Sequence, residues 1–147
     1  MDTYALLVRV IFAVFCGSVI GVERQMRGKP VGIRTSILIC MGTMLFIYLG
    51  WLIDDGRDSV RILGQVVTGV GFLGAGVIMN KQGLVSGVTS ASVVWLLAGI
   101  GASIGFGYYG AAVLLSFVAF IILVGVEYLE KVYKALQRGV HRHKKED

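Results

Sequence analysis

The chain has 147 residues, of which 56% are hydrophobic and 16% are charged, with a net charge of +5 and a mean hydropathy of +0.78. A soluble domain of ordinary composition is excluded, because such domains carry about 25% charged residues. One proline and 21 glycines also argue against a disordered or collagen-like chain, and together these values predict a helical membrane protein.

Five apolar segments are each long enough to span a bilayer, since about 20 residues at about 1.5 Å each cross its hydrocarbon core. They predict an all-α, polytopic transmembrane helical bundle with the spans Tyr4–Val22, Thr35–Ile53, Ile62–Met79, Val88–Ile104 and Tyr108–Val126. The first span contains Arg9 and lacks a small-residue cleavage site, so we interpret it as a retained helix and not as a signal peptide.

The distribution of lysine and arginine predicts how the bundle lies in the membrane. Basic residues gather in the loop after the first span and in the tail after the fifth, at Arg24, Arg27, Lys29, Arg34, Lys131, Lys134, Arg138, Arg142, Lys144 and Lys145. Because basic loops stay in the cytoplasm, we expect the N-terminus outside and the C-terminus inside. Anionic lipid accounts for these charges, so we predict the lipid bilayer as a partner and no nucleic-acid partner.

The C-terminal tail has a pattern of its own. We expect residues 1–130 to form the transmembrane domain and residues 131–147 to form a basic cytoplasmic tail. From Glu127 onward, apolar residues recur at spacings of three and four with basic residues between them, which predicts a short amphipathic helix continuing from the fifth span. We favour a helix lying on the inner leaflet, and self-association or docking on a partner is the alternative.

The third span is unusually rich in glycine. From Arg61 to Met79 it reads R-I-L-G-Q-V-V-T-G-V-G-F-L-G-A-G-V-I-M and holds five glycines. Its stretch from Gly69 to Gly74 matches a dinucleotide-binding fingerprint, but no strand precedes it, and Val94 stands where an acid would hold the ribose. Glycines at this density are instead typical of membrane helices whose backbones approach closely.

A helical projection divides this span into three surfaces, two of small residues and one of bulky residues. They are Gly64, Thr68, Gly71 and Ala75; Gln65, Gly69, Phe72 and Gly76; and Val66, Val70, Leu73 and Val77. We therefore predict a central helix whose valine and leucine surface meets lipid or another subunit. With a partner surface in the first span, the predicted packing residues are Gly17, Gly21, Gly64, Gly69, Gly71, Gly74 and Gly76.

Two polar clusters follow from the predicted topology. The inner cluster gathers the cytoplasmic ends of spans one, two and four, and includes Thr89, Ser90 and Ser92. Glu23 is its most informative member, because an acid at the end of an apolar span needs a partner or water, and Arg34 is the nearest candidate partner. The predicted functional residues of the inner and outer clusters are Glu23, Arg24, Arg34, Thr35, Arg61 and Gln65.

The outer cluster also contains Arg9, which either snorkels outward or pairs with an aspartate of the second loop. Asp54, Asp55 and Asp58 of that loop are weak candidate ligands for Mg²⁺, which prefers oxygen, and a solvated turn is the alternative. The sequence holds no Cys/His, Ser/His/Asp or HExxH spacing. We therefore predict neither an enzyme nor a cofactor, with Mg²⁺ as the one ion considered, either as ligand or as transported species.

Four strings follow one another along the chain: Gly21-Val22-Glu23-Arg24-Gln25, Gly28-Lys29-Pro30-Val31-Gly32-Ile33-Arg34-Thr35, Gln65 to Ile78 and Gly99-Ile100-Gly101, with Arg61, Ile62, Gly87, Thr89, Ala91 and Trp95 beside them. Taken in this order, they resemble the transmembrane domain of the MgtC/SapB family of bacterial membrane proteins, and the match covers nearly all of residues 19–130.

The resemblance implies a multi-pass protein of the bacterial inner membrane that is linked to magnesium limitation and, in pathogens, to virulence. Our leading hypothesis is a non-enzymatic regulator, a homo-oligomer that acts on other membrane proteins or on membrane energetics. The alternative is a small transporter or channel for Mg²⁺ or another cation. Many family members carry a soluble C-terminal domain, which we expect this chain to lack, and Ser86 stands where a basic residue is common.

Overall fold

The computed structural model describes residues 3–53, 59–81 and 84–132. Its elements are five helices and one hairpin: α1 Thr3–Met26, α2 Ile33–Ile53, α3 Ser59–Ala75, β1 Met79–Lys81, β2 Leu84–Ser86, α4 Val88–Gly105 and α5 Tyr109–Val132. The helices confirm the predicted all-α class and the number of helical segments. The basic tail beyond Val132 and the aspartates of the second loop lie outside the described residues.

Four of the helices are long and apolar enough to cross a membrane, namely α1, α2, α4 and the part of α5 from Tyr109 to Leu129. The third predicted span is shorter than expected: α3 has 17 residues, or about 26 Å of helix, and ends at Ala75 instead of Met79. The amides of Val77 and Ile78 bond three residues back, to Gly74 and Ala75, so the last turn tightens before the chain extends into β1.

The hairpin between α3 and α4 was not predicted. Strands β1 and β2 pair antiparallel, with Asn80 opposite Val85. They return the chain to Gly87, which has φ 90° and approaches the carbonyl oxygen of Val77 too closely for any side chain. A position with positive φ and no room for Cβ requires glycine, so Gly87 sets the point where α4 begins.

All five helices run between the same two ends of the bundle. Ile62 of α3 lies beside Gly50 of α2 at one end, and Gly74 lies beside Ala91 of α4 at the other. Phe12 of α1 stacks on Tyr109 at the start of α5, and Arg27, directly after α1, pairs with Glu127 near the end of α5, so the two helices run parallel. Thr3 and Val132 therefore lie at opposite ends of the bundle. Which end faces the cytoplasm stays a prediction.

Two pairs of glycines bring α1 and α4 close to α2, at successive levels along it. Near the start of α2, a Cβ at Gly17 would lie 2.7 Å from the Cα of Ile37, and one at Gly21 would lie 2.6 Å from the Cα of Ile33. Farther along α2, Gly101 packs against the carbonyl oxygen of Cys40, and a Cβ at Gly105 would lie 2.7 Å from the Cβ of Ile47. Both pairs have the spacing small-xxx-small that brings membrane helices together.

The prediction that the third helix is central is wrong within the single chain. A Cβ at Gly64, Gly69 or Gly71 would meet nothing within 4 Å, and one at Gly74 would make only ordinary contact with Ala91, at 3.6 Å from its carbonyl oxygen. A Cβ at Gly76 would meet only carbonyl oxygens of its own helix, those of Phe72 and Leu73. Helix α3 lies at the side of the bundle, with Gly64, Gly69 and Gly71 facing outward and Gly74 buried beside α4.

Most of the bulky surface of α3 also faces the core, contrary to the prediction. Val66, Val70 and Val77 pack against the core, whereas Leu73 is 51% exposed. Packing of α3 within the chain is therefore looser than the packing around α2.

Replacing Gly101 by alanine should destabilise the protein by about 1–3 kcal/mol, because the new methyl group has no room beside the Cys40 carbonyl oxygen. Gly99 is the matched control on the same helix, since a Cβ there meets nothing within 4 Å. The free energy of unfolding in mixed detergent micelles checks this. Equal losses in Gly101→Ala and Gly99→Ala would contradict the packing described for α2 and α4.

Candidate functional site

Charged side chains gather at the end of the bundle where α1 finishes and α4 begins. Glu23 and Arg24, in the last turns of α1, are both only 4% exposed. Arg24 donates from Nη2 to the hydroxyl oxygen of Ser90 in the first turn of α4, at 2.5 Å. The predicted placement of Ser90 beside the end of the first span is thus confirmed, and Arg24 ties α1 to α4.

Arg27 connects Glu23 to the last helix. Its Nε lies 2.8 Å from Oε1 of Glu23, and its Nη1 forms an ion pair with Glu127 of α5. The prediction that Arg34 is the partner of Glu23 is wrong. Arg34 lies exposed at the start of α2, and the Glu23 carboxylate pairs with Arg27 instead. The spacing of four residues between Glu23 and Arg27 on one helix is the signal that could have identified the pair.

This group, which we call the Glu23 cluster, consists of Glu23, Arg24, Arg27, Ser90 and Glu127. Its two positive and two negative charges balance, as buried charges require. Both carboxylate oxygens of Glu23 and Nε of Arg24 are nevertheless buried without a hydrogen-bond partner among the described residues, although Oε1 lies in ion-pair contact with Arg27. The cluster therefore joins three helices and leaves Oε2 of Glu23 and Nε of Arg24 with neither a hydrogen bond nor an ion pair, which is costly unless water or a ligand reaches them.

The turn between α1 and α2 positions the exposed residues beside this cluster. Val31 has φ 67°, a left-handed conformation that is rare for a β-branched residue, and its carbonyl oxygen accepts a hydrogen bond from Ser36 at 3.2 Å. Gln25 of α1 accepts a hydrogen bond from the amide of Ile33, the first residue of α2, at 3.2 Å. These contacts fix the start of α2, so that Arg34 and Thr35 lie on its exposed surface.

At the opposite end of the bundle, Arg9 binds the C-terminal end of α4. Its Nε donates to the carbonyl oxygen of Gly105 at 3.3 Å, and its guanidinium lies 4.2 Å from the centre of the Tyr48 ring and 6.0 Å from that of Tyr109. A cation at the C-terminus of a helix is favourable because the free carbonyl groups carry partial negative charge. Arg9 thus contacts α4, and its Nη1 also donates to the carbonyl oxygen of Ala5 at 3.0 Å, one turn nearer the N-terminal end of α1, which is the direction of the predicted snorkelling. The alternative partner, an aspartate of the second loop, lies outside the described residues.

The structure separates the six predicted functional residues. Glu23 and Arg24 lie together in the Glu23 cluster, whereas the other four are exposed: Arg34 and Thr35 on α2, and Arg61 and Gln65 on α3. Arg27, Glu127, Tyr48 and Tyr109 make contacts that the sequence analysis did not assign. No sequence pattern could have identified Tyr48 and Tyr109, because only the fold brings them next to Arg9.

A lateral cleft of about 620 Å³ lies between α2 and α3. Two of the predicted residues, Thr35 and Gln65, share it. Its remaining walls are mainly apolar, and the full lining is Thr35, Leu38, Ile39, Gly42, Thr43, Phe46, Ile62, Gln65, Val66, Gly69, Val70 and Leu73. Helices α2 and α3 touch at Gly50 and Ile62 and lie farther apart along the cleft, which therefore opens sideways toward lipid.

The predicted metal candidates Asp54, Asp55 and Asp58 lie outside the described residues. Within residues 3–53, 59–81 and 84–132, no group of three or more His, Cys, Asp or Glu side chains is placed to hold a metal ion.

Comparison with known proteins identifies the chain's relatives. The model of the MgtC family matches residues 10–132. "Putative magnesium transporter YhiD" of Escherichia coli K12 is 40% identical over 129 residues, which are 82% of this chain and 60% of that protein. Protein SapB of Bacillus subtilis is 35% identical over 89% of this chain and 59% of its own length. Protein MgtC of Salmonella typhimurium is 38% identical over 74% of this chain and 47% of its own length.

The chain thus spans about half to three fifths of the length of these relatives. No solved structure matches it. Together, the family match and the four long apolar helices indicate a multi-pass membrane protein.

Replacing Ser90 by alanine should lower the free energy of unfolding by about 1–3 kcal/mol, because it removes the hydroxyl that accepts from the buried Arg24 guanidinium. Ser92 is the matched control, since its exposed hydroxyl bonds only to Val88 of the same helix. Detergent unfolding checks the pair of variants. A loss in Ser92→Ala as large as that in Ser90→Ala would show that Ser90 does not hold Arg24.

Proposed function

This chain belongs to the MgtC family, and on that premise we propose that it is a regulatory protein of the bacterial inner membrane, linked to adaptation to magnesium limitation. It carries out no reaction of its own. It acts by packing against the helices of other membrane proteins, and the link to magnesium follows the name of the relative YhiD, "Putative magnesium transporter".

The observation that carries this proposal is the outward surface of α3, which we call the small-residue stripe: Gly64, Thr68, Gly71 and Ala75. All four residues are exposed. A Cβ at Gly64 or Gly71 would meet nothing within 4 Å, and the hydroxyl of Thr68 bonds back to the Gly64 carbonyl oxygen at 2.9 Å. Such a stripe allows the backbone of another membrane helix to approach closely, and no described helix of this chain uses it.

The Glu23 cluster supports the same proposal by its position. It holds the ends of α1, α4 and α5 together, while Arg34 stays exposed beside it on α2. On the predicted topology this end faces the cytoplasm, so a partner packed on α3 would meet the basic Arg34 region at the membrane surface.

Transport of Mg²⁺ is the second candidate function, because the name of the Escherichia coli relative contains the words magnesium transporter. A path for a divalent cation needs oxygen ligands along the membrane. The acidic residues within the described segments, Glu23, Glu127 and Glu130, all lie at one end of the bundle, and Arg27 neutralises the first two. The geometry therefore favours the regulatory function.

Filling the small-residue stripe should abolish the biological activity and leave the fold intact. In a strain that needs this protein to grow at low magnesium, Gly71→Leu should fail to support growth while the protein remains in the membrane at the normal level. Gly110 of α5 is the matched control, because it is also exposed and open. Normal growth with Gly71→Leu, or equal failure with Gly110→Leu, would contradict the role of the stripe.

Purified protein in liposomes should not carry Mg²⁺ above the rate of empty liposomes, since a regulator needs its partner to produce any flux. The measurement uses a Mg²⁺-sensitive dye inside the vesicles, with a membrane potential imposed in either direction. Uptake that scales with the amount of protein inserted would overturn the regulatory proposal in favour of transport.

A further inference from the structure

The first turn of α4 has backbone donors that nothing in the helix uses. Its first hydrogen bond runs from the amide of Ala91 to the carbonyl oxygen of Gly87, no side chain caps the turn, and no acidic residue lies in it. The amides of Val88, Thr89 and Ser90 precede that bond, so they have no partner within the helix. These amides and the helix dipole give the start of α4 a partial positive charge, which attracts anions.

A buried guanidinium adds a full positive charge at the same place. Arg24 is only 4% exposed, and its Nη2 donates to the hydroxyl oxygen of Ser90 in this turn. A cation at the N-terminus of a helix is unfavourable, unlike Arg9, which lies at the C-terminal end of α4. Nε of Arg24 is also buried without an acceptor among the described residues. The guanidinium therefore still lacks a hydrogen-bond acceptor beside a helix start that favours negative charge.

The acids of the Glu23 cluster do not meet this need. The Glu23 carboxylate pairs with Arg27, and Arg27 also pairs with Glu127 of α5. The two negative charges of the cluster are balanced by its own two arginines, so the partial positive charge of the α4 start is left without compensation. Arg34 adds another, exposed positive charge at this end of the bundle, because α2 and α4 run parallel and begin at the same end.

The start of α4 lies where a lipid headgroup would meet it. Helix α4 has 18 residues, or about 27 Å, so it crosses the hydrocarbon core only when its two ends lie near the two surfaces of the membrane. Val88 is 54% exposed, and Trp95, two turns later on the same side of the helix, is 59% exposed. A phospholipid with its phosphate at the first turn would lay its acyl chains along this apolar side.

We propose that the first turn of α4 binds the phosphate group of an anionic phospholipid, through the free amides and the Thr89 hydroxyl, with Arg24 supplying positive charge behind them. Thr89 is exposed, and its hydroxyl bonds to no residue that the structure describes. A zwitterionic lipid fits less well, because its ammonium group would meet the positive charges at this end. The site lies on α4 and the small-residue stripe on α3, so this proposal and the regulatory function can fail separately.

Quenching of tryptophan fluorescence by brominated lipids tests the site. Trp95 lies about 10 Å along the helix from Val88, at the level of the acyl chains of a lipid bound there. Replacing Trp51 by phenylalanine leaves Trp95 as the one tryptophan of the chain. In phosphatidylcholine vesicles, dibrominated phosphatidylglycerol should reach half-quenching at about one fifth of the mole fraction that dibrominated phosphatidylcholine needs, the preference that one basic residue near a membrane surface supplies. Equal mole fractions would overturn the assignment to an anionic lipid.

Thr89→Asp separates this site from general attraction to the membrane surface. The new carboxylate would occupy the free amides itself and stabilise the helix start, so the protein should fold and its lipid preference should fall to about twofold or less. Ser86→Asp is the matched control, because Ser86 is exposed three residues earlier and the variant adds the same charge. It should keep a preference of about threefold or more. Equal losses in the two variants would indicate diffuse surface charge and reject the site.

Two substitutions of Arg24 test the charge behind the amides. Arg24→Lys should retain most of the lipid preference, whereas Arg24→Gln should lose it, because only the lysine variant keeps a positive charge. Circular dichroism shows whether each variant is folded, and where Arg24→Gln does not fold, Thr89→Asp decides. An unchanged preference in folded Arg24→Gln would contradict the role of Arg24.

Inorganic phosphate distinguishes a lipid headgroup from a soluble phosphate compound. The protein is unfolded by heat in a non-ionic detergent free of phospholipid, with phosphate or chloride at equal ionic strength. Stabilisation of the parent by phosphate, lost in Thr89→Asp and combined with equal quenching by the two brominated lipids, would replace the lipid by a soluble ligand. Absence of both the lipid preference and the phosphate effect would overturn the site itself.

Discussion

The close approach of α2 to both α1 and α4 is the constraint on which the rest of the structure depends. Gly17 and Gly21 bring the first turns of α2 into backbone contact with α1, and Gly101 and Gly105 bring its middle turns close to α4. Membrane helices gain no hydrophobic drive from packing on one another, so dispersion at short distance has to supply the stability. Two glycine pairs that meet α2 at successive levels give three helices a fixed spacing, and α3 and α5 pack around this unit.

Because α1 and α4 are held close together, Arg9 and Arg24 of α1 can each contact one end of α4. Arg9 and Arg24 are fifteen residues apart on α1, and Gly105 and Ser90 are fifteen residues apart on α4. Because the two helices run antiparallel at the same rise per residue, each arginine meets its own end of α4, about 22 Å from the other. Arg9 lies where the carbonyl groups of α4 are free, which is favourable, and Arg24 lies at the opposite end, where Glu23 compensates its charge.

The helices and the resemblance to the family followed from the sequence, because apolar length and ordered motifs are local properties of the chain. The packing did not. Glycine spacing alone gives the same expectation for Gly64, Gly69 and Gly71 as for Gly101 and Gly105, and only the fold shows which of them meet another backbone. The Glu23 cluster was predicted in part, since Ser90 and Arg24 were assigned to one end. Arg27 and Glu127 were missed because a residue at a membrane edge was interpreted as a topology signal.

Helix α3 is rotated about its axis relative to the prediction, with its valines toward the core and three of its glycines exposed, and this changes how its glycine-rich sequence is interpreted. A glycine in a helix costs up to about 1 kcal/mol relative to alanine, and three of the five in α3 and its last turn gain no contact that would offset this. For Gly101 and Gly105, by contrast, close packing on α2 offsets the cost of glycine in a helix. Helix α3 packs Val66 and Val70 against the core and leaves Gly64, Gly69 and Gly71 exposed, so the cost of these three glycines is not offset by any contact within the residues that the structure describes. This imbalance is the physical reason for our proposal that the small-residue stripe receives a helix of another membrane protein.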